Sequence, residues 1–382
     1  MTSYFHTISS VTNKIILSKL YQTLTKNSLT ITLTLIITTI FCSFPSYDVA
    51  IFTNEMDSHW ESIFRQIENP FTNHNHLYGI GSHAEKLSFR FVPAVLMNVF
   101  GIKTLIPALI FQFFTLIFFN NILVQAFFKL FQEKTKVFLY ALPICFVVSG
   151  HVYCSDYRGI FDTLSLSFLL TSLLFRNKPY VIIFLLLAYF TDERAIIASP
   201  AIILINLFKN QNYDSFKSIL SNIFSGINKY IWVSWILYLV IRYWLSYQFG
   251  LETGTGGIGF FRFFDQINRT IYTLYIGLEG FLILLIIVTA SFIKKQNYFF
   301  SFLIISSYSI VCIVAQSVFD INRSMSYSIL FIVFILVAFD RLIPMHKVYP
   351  IIILVVVISA VYDDYYPLLA QLYRMVYITK II

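Results

Sequence analysis

Long apolar runs separated by short polar segments make up most of this chain. A helix needs about 20 apolar residues to cross the hydrocarbon of a bilayer, and fewer when its ends reach polar headgroups. The pattern therefore predicts an all-α fold, a polytopic transmembrane helical bundle with eleven spans. The predicted spans are Leu29–Pro45, Thr104–Phe128, Val137–Gly150, Gly159–Phe175, Pro179–Phe190, Ala195–Phe208, Tyr230–Tyr247, Thr270–Ile293, Tyr298–Val318, Met325–Phe339 and Val348–Val361.

Polar stretches divide the chain into three parts. Residues 1–28 are predicted to form a cytoplasmic N-terminal segment, residues 29–208 an N-terminal transmembrane module, and residues 209–382 a C-terminal transmembrane module. The longest polar interruption, residues 46–103, is predicted to be an extracytoplasmic loop. At its end, Glu85–Gly101 carries apolar residues at helical spacing beside basic ones. That spacing predicts an amphipathic helix lying on the membrane surface.

The composition agrees with a membrane protein. Of 382 residues, 58% are hydrophobic and only 12% are charged, whereas about 25% of the residues of a soluble domain are charged. So few polar side chains cannot cover a globule in water. The composition excludes a soluble enzyme, a disordered chain and a nucleic-acid-binding module, so no nucleic-acid partner is expected.

The distribution of charges predicts the orientation. Lys and Arg residues concentrate in the segments that are cytoplasmic when the N-terminus is inside, and this bias sets the topology of membrane proteins. The same topology places only three of the 19 acidic residues, Glu133, Asp214 and Asp340, in the cytoplasm. The prediction is an integral membrane protein with a cytoplasmic N-terminus and an extracytoplasmic C-terminus. Acidic residues hardly affect topology, so their concentration outside favours a functional role there.

An acid pair follows the first span. Glu55 and Asp57 lie about ten residues beyond the predicted membrane exit. In a wet cavity at the bilayer surface, such a carboxylate can take a proton from a hydroxyl group. The pair can also hold a divalent metal ion through its oxygen atoms, Mg²⁺ or Mn²⁺ being the only candidate cofactors. The alternative is that both residues are solvated loop acids.

Other outer charges form small sets at the ends of spans. Asp156 and Arg158 precede the fourth span, which contains Asp162. Asp192, Glu193 and Arg194 lie in one tight turn, and Asp320 lies three residues before Arg323. Such sets either form structural ion pairs or line a site for an anionic ligand, because Arg binds phosphate oxygens in pairs.

Few charges lie within the predicted spans. Arg242 and Glu279 fall toward the outer ends of neighbouring spans, where they could pair. Ion-coupled transporters usually place acidic residues and broken helices near the middle of the membrane. The pattern shows neither, which argues against a transporter.

Several short motifs resemble a known family. The first outer loop reads Asp57-x-x-Trp60-x-x-Ile63, then Asn69-Pro70-Phe71, then Arg90-Phe91-Val92-Pro93. This order resembles the bacterial branch of the GT-C superfamily of multi-spanning glycosyltransferases. Thr191-Asp192-Glu193-Arg194-Ala195, before a short apolar helix, resembles a further family position. The resemblance covers about residues 29–208.

The resemblance implies an enzyme of a bacterial plasma membrane that uses a polyprenyl-phosphate-linked sugar and a glycan or lipid acceptor. Asp57 would be the base, with Glu55 beside it. Arg90, Arg158 and Arg194, or a metal ion held by Glu55 and Asp57, would offset the charge of the leaving phosphate. His59, Trp60 and Tyr78 would contact the sugar. Asp192 and Glu193 would line the substrate site.

Three alternatives to this enzyme remain. A polysaccharide polymerase or ligase of the envelope also has many spans, although its large outer loop usually comes late in the chain. A transporter or lipid flippase is the non-enzymatic alternative. A family member that has lost activity and serves as a scaffold is the third.

Overall fold

The computed structural model describes residues 19–45, 47, 51, 58–72, 87–152, 158–175, 179–210, 215–252, 260–318 and 320–361. About 80% of the structure is helical, and the described residues form no β-strand. The predicted all-α class is therefore confirmed.

Twenty α-helices are described, and two short 3₁₀ helices, Leu142–Phe146 and Ile267–Arg269, connect some of them. The α-helices are α1 (Lys19–Leu24), α2 (Ser28–Cys42), α3 (Ser58–Glu68), α4 (Val92–Val99), α5 (Leu105–Phe131), α6 (Lys134–Ala141), α7 (Val148–His151), α8 (Asp162–Ser172), α9 (Tyr180–Tyr189), α10 (Arg194–Ala198), α11 (Pro200–Lys209), α12 (Phe216–Ile223), α13 (Asn228–Phe249), α14 (Phe260–Asp265), α15 (Thr270–Ile276), α16 (Phe281–Lys294), α17 (Tyr298–Gln316), α18 (Ile321–Ser326), α19 (Ile329–Leu342) and α20 (Met345–Val361).

Three of these elements are long and apolar enough to cross a membrane. They are α5, α17, and α18 with α19 taken together. Two bent pairs, α12 with α13 and α15 with α16, bring the number to five if each pair is one span. Within the described ranges the structure thus has three to five candidate spans, which suggests a membrane protein, and the eleven-span bundle is not confirmed.

Proline and glycine explain why several predicted spans are broken. Pro143 lies in a 3₁₀ turn that interrupts the predicted span Val137–Gly150, and Pro200 begins α11 within Ala195–Phe208. Proline lacks the N–H that a continuous helix needs. The predicted span Thr270–Ile293 breaks around Gly277, where α15 and α16 meet at a bend of 87°. A run of apolar residues therefore did not guarantee one straight helix.

Two helices form the centre of the bundle. Every residue of α8 is buried between α5 and α9, and α19 is almost entirely buried against α11 and α16. Four of the five hydroxyl groups of α8 donate to backbone carbonyl oxygens, and only that of Thr163 has no partner among the described residues. Ser167 donates to the carbonyl oxygen of Thr163 at 2.7 Å, and Ser165 donates to that of Ala188 at 3.0 Å. Small hydroxyl residues of this kind allow helices to pack closely in an apolar environment.

The charged residues gather at opposite ends of the bundle. Asp162 begins α8, whereas near its other end Lys129 donates to the carbonyl oxygen of Leu174. At that second end Lys136 pairs with Asp340 at 2.9 Å. The residues predicted to be cytoplasmic thus meet at one end. Those predicted to be extracytoplasmic meet at the other, which we call the outer end after the predicted topology.

The predicted surface helix Glu85–Gly101 is shorter than expected. Glu85 and Lys86 lie outside the described residues, and α4 begins only at Val92, with Pro93 in its first turn. Before it, Phe89 is buried. The chain around Arg90 therefore turns into the bundle instead of continuing a helix along the membrane surface. Val99 remains exposed at the end of α4.

We expect Gly150→Ala to destabilise the fold more than Gly226→Ala. A Cβ on Gly150 would overlap the backbone carbonyl oxygen of Ile144, so main-chain atoms must move. Overpacking of this kind costs about 1–3 kcal/mol or more. Gly226 has φ +58° but open space around it, so alanine there costs about 1–2 kcal/mol from backbone strain alone. Thermal unfolding of the purified protein in detergent measures both, and equal losses would contradict the close packing at Gly150.

Candidate functional site

A tight turn after α9 supplies the first acid of the site. Asp192 follows the last turn of α9 and its backbone N–H donates to the carbonyl oxygen of Ala188 at 2.9 Å. Its Oδ1 accepts from the backbone N–H of Arg194 at 2.9 Å and from Nε of the same residue at 2.8 Å. The turn therefore fixes an Arg and an Asp side chain against each other at the start of α10.

Asp162 joins this turn to the C-terminal half of the chain. Its side chain is fully buried at the start of α8. It accepts from Nη2 of Arg194 at 2.8 Å and from Nε of Arg323 at 2.7 Å. The Tyr327 hydroxyl donates to the same carboxylate at 3.2 Å. One carboxylate thus bridges segments more than 100 positions apart in the sequence.

Two further arginines complete the set on the side of Glu193. Nη1 of Arg90 lies 2.9 Å from Oδ2 of Asp192, and its Nη2 lies 3.6 Å from Oε1 of Glu193. Arg242 of α13 donates to Oε2 of Glu193 at 2.9 Å and lies 4.3 Å above the ring of Phe89. Together these residues form what we call the arginine–carboxylate cluster: Arg90, Asp162, Asp192, Glu193, Arg194, Arg242 and Arg323.

The seven residues of the cluster carry more positive than negative charge. Their four guanidinium groups face three carboxylates, and among the described residues a fourth carboxylate, that of Asp320, is 47% exposed and pairs with Arg323 at 3.9 Å. Removing charges from water is costly, and buried ion pairs seldom stabilise a fold more than apolar residues of the same size would. Stability alone therefore does not account for so many charges in a bundle this apolar, and the cluster is the candidate site.

The opposite charges keep the cluster ionised. Burial alone would raise the pKa of Asp192, but Arg194 and Arg90 outweigh it and hold that pKa well below its usual range. Burial alone would lower the pKa of Arg90, but Asp192 and Glu193 raise it above its usual value. Both groups are therefore charged at neutral pH.

A small cavity borders the cluster. Its volume is about 20 Å³, which is room for one or two water molecules and not for a sugar ring. Two buried guanidinium nitrogens, Nε of Arg90 and Nη2 of Arg323, have no hydrogen-bond partner among the described residues. The cavity is lined by Ile63, Gln66, Leu87, Arg90, Pro93, Gly159, Ile160, Phe161, Thr191, Asp192 and Arg323. Donors next to a cavity can bind an oxygen atom of water or of an anion.

Helix α3 forms one wall of this cavity through Ile63 and Gln66. Trp60, also in α3, is only 1% exposed. Its ring packs edge-on against Phe161, and Gly159 (φ +74°) approaches so closely that a Cβ would lie 3.2 Å from the indole. In this structure Trp60 therefore fixes α3 to the loop before α8 and offers no face to a sugar.

The structure brings together four of the residues predicted from the sequence: Arg90, Asp192, Glu193 and Arg194. Arg158 is exposed and belongs to none of the ion pairs of the cluster. His59 lies in α3.

The predicted base and its neighbour, Glu55 and Asp57, lie outside the described residues, as does Tyr78. The metal site predicted at Glu55 and Asp57 is therefore untested. Elsewhere in the described chain, no three His, Cys, Asp or Glu side chains are placed to hold a metal ion.

One predicted pair is wrong. Arg242 pairs with Glu193, whereas Oε1 of Glu279 accepts the backbone N–H of Val148 at 3.0 Å. The sequence also gave no signal for Tyr327, which lies inside an apolar run.

We expect Asp162→Asn to cost about 3–5 kcal/mol of unfolding free energy, because it removes the buried carboxylate that the guanidinium groups of Arg194 and Arg323 share. The matched control is Glu61→Gln, which removes a half-exposed partner of Arg65 within α3 and should cost less than about 1 kcal/mol. Chemical denaturation in detergent compares the two variants. Similar small losses in both would show that the cluster does not hold the helices together.

We expect acid to destabilise the protein through Asp192. Its pKa is lowered in the folded state, so its contribution is complete above the unfolded value of about 4 and is lost as the pH falls from there toward the folded pKa. The melting temperature should therefore drop between about pH 5 and pH 3. In Asp192→Asn this drop should be smaller. An equally steep drop in the variant would assign the acid sensitivity to other groups.

Searches of protein-family models, of curated proteins and of solved structures find no match for this chain. The resemblance to the GT-C superfamily therefore stays a prediction from the motifs quoted above.

Proposed function

We propose that the protein is a GT-C-like integral membrane glycosyltransferase. It would move a sugar from a polyprenyl-phosphate donor to an extracytoplasmic glycan or lipid acceptor in cell-surface glycan synthesis. The observation that carries the proposal is the arginine-rich cluster beside α3, the helix that begins one residue after Asp57.

The proposed reaction needs one base and one set of cations. The acceptor hydroxyl oxygen attacks the anomeric carbon of the sugar, and its proton passes to the Asp57 carboxylate. The bond between that carbon and the phosphate oxygen breaks, and polyprenyl phosphate leaves with the electron pair. Its growing negative charge requires positively charged donors nearby.

The cluster supports the second requirement. Arg90 and Arg323 each have a buried N–H beside the cavity, and the cluster has one more guanidinium group than carboxylate groups. An oxygen atom of the donor phosphate fits between these donors, whereas the sugar has to lie outside so small a cavity. A metal ion at Glu55 and Asp57 is the alternative source of positive charge.

A lipid-linked donor also fits the surroundings of the site. The polyprenyl tail partitions into the bilayer, so its phosphate reaches a protein site only near the membrane surface. The cluster is surrounded by apolar helices at one end of the bundle, where such a phosphate would arrive.

A transporter or flippase is the second candidate, and one observation favours it. Glu279 is buried at the bend between α15 and α16, with φ +46°. Broken helices with buried carboxylates are typical of ion-coupled transporters. The apolar pattern did not predict this bend.

We expect Asp57→Asn to lower the rate of sugar transfer about 10²–10⁴-fold, the usual effect of losing a general base. Purified full-length protein in lipid nanodiscs, given a panel of polyprenyl-phosphate sugars, provides the measurement. Glu61→Gln, four residues away and half-exposed, is the control and should keep the wild-type rate.

Two results would count against the proposal. Equal turnover by Asp57→Asn and wild type would remove Asp57 as base. The transporter would be favoured by two results together. No polyprenyl-phosphate sugar is turned over, and proteoliposomes take up a substrate with protons in a reaction that the Glu279→Gln variant no longer performs.

A further inference from the structure

A second feature lies at the opposite end of the bundle from the cluster. Helix α12 is amphipathic and meets α13 at an angle of 49°. Ile219 packs into the protein, but three apolar side chains on the adjoining part of the same face, Phe216, Leu220 and Phe224, are 59%, 49% and 58% exposed. An exposed stripe of this kind on a helix bent away from a candidate span fits the boundary between headgroups and acyl chains.

A cavity of about 470 Å³ opens beside this helix. It lies between the start of α12 and the turn from α16 to α17. Aromatic rings and polar groups share its wall, and no acidic residue is among those described there. The lining residues are Ser215, Phe216, Ile219, Phe292, Lys295, Gln296, Asn297, Tyr298 and Phe299.

Among the described residues, the charge of this region is positive. Lys295 lines the cavity, Lys294 precedes it, and both are exposed. This differs from the nearby surface around Lys136, whose ammonium group is neutralised by Asp340 at 2.9 Å. The cavity therefore suits an anion.

The apolar part of the wall continues onto a helix surface. Phe299 packs edge-on against Phe216 with 4.9 Å between ring centroids. Phe302, one turn further along α17, is 66% exposed. Residues three positions apart lie on one face of a helix, so an apolar path leads from the cavity along α17 toward the middle of the bundle.

We propose that this cavity binds an anionic phospholipid. Its phosphate lies against Lys295, its polar headgroup reaches Ser215 and Gln296, and an acyl chain follows Phe299 and Phe302. An anionic lipid would contact the positively charged wall with its phosphate, the apolar path along α17 with an acyl chain, and the interfacial helix α12. A free anion would contact only the positively charged wall. The site is independent of the proposed glycosyltransferase reaction.

The test measures lipid binding to the purified full-length protein in neutral detergent. Fluorescent phosphatidylglycerol is titrated against wild type and the double variant Lys294→Gln/Lys295→Gln. Each lysine near an anionic lipid contributes about five-fold in affinity, so the double variant should bind about 25-fold more weakly. Lys103→Gln removes an exposed charge near the start of α5, at the outer end of the bundle, and should bind like wild type. All replaced side chains are exposed, and unchanged melting temperatures verify folding.

Three results would overturn the proposal: equal affinity of the double variant and wild type, equal affinity of wild type for phosphatidylglycerol and phosphatidylcholine, or full displacement of the lipid by equimolar inorganic phosphate. The last result would indicate a site for free anions. The lipid site is supported if inorganic phosphate competes only weakly with phosphatidylglycerol and if the double variant alone loses affinity for this lipid.

Discussion

The ion pairs of Asp162 with Arg194 and Arg323 are the interaction on which the outer end of this bundle depends. They join α8, α10 and α18, which belong to different parts of the chain. Because α8 and α10 also pack against α19, these pairs fix the position of the central helix relative to both halves. Apolar packing stabilises many relative positions of the helices, whereas the ion pairs form in only one arrangement of α8, α10 and α18.

The parts of the fold that the sequence predicts best are those with uninterrupted apolar runs. The predicted span Thr104–Phe128 appears as Leu105–Phe131, and Tyr298–Val318 appears as Tyr298–Gln316. Prediction failed where local backbone chemistry opposed the pattern, as at Pro143 and Pro200. At the break between α15 and α16 the chain also packs closely: a Cβ on Gly280 would come within 2.7 Å of the carbonyl oxygen of Val355.

Four of the seven residues of the cluster were selected from the sequence, but their pairing was not. Arg and carboxylate residues at the ends of spans stand out in so apolar a chain, which is why Asp192 and Arg194 could be selected, whereas Arg90 was selected from its motif in the first outer loop. The partner of each charged residue depends on which helix ends become neighbours. Which ends become neighbours depends on breaks in the helices, and the apolar pattern does not show these breaks. Trp60 illustrates the same limit, since an aromatic residue in an outer loop suits a sugar and a packed core equally well.

The length of α8 determines how deep the cluster lies. At a rise of about 1.5 Å per residue, α5 measures about 40 Å and α8 only about 16 Å. Near the start of α8, Gln112 of α5 donates to the carbonyl oxygen of Ile160 at 3.4 Å, seven residues into α5. Asp162 and its arginines are therefore recessed about 10 Å below the tip of the longest helix. A molecule that meets them has to pass beside the first two turns of α5.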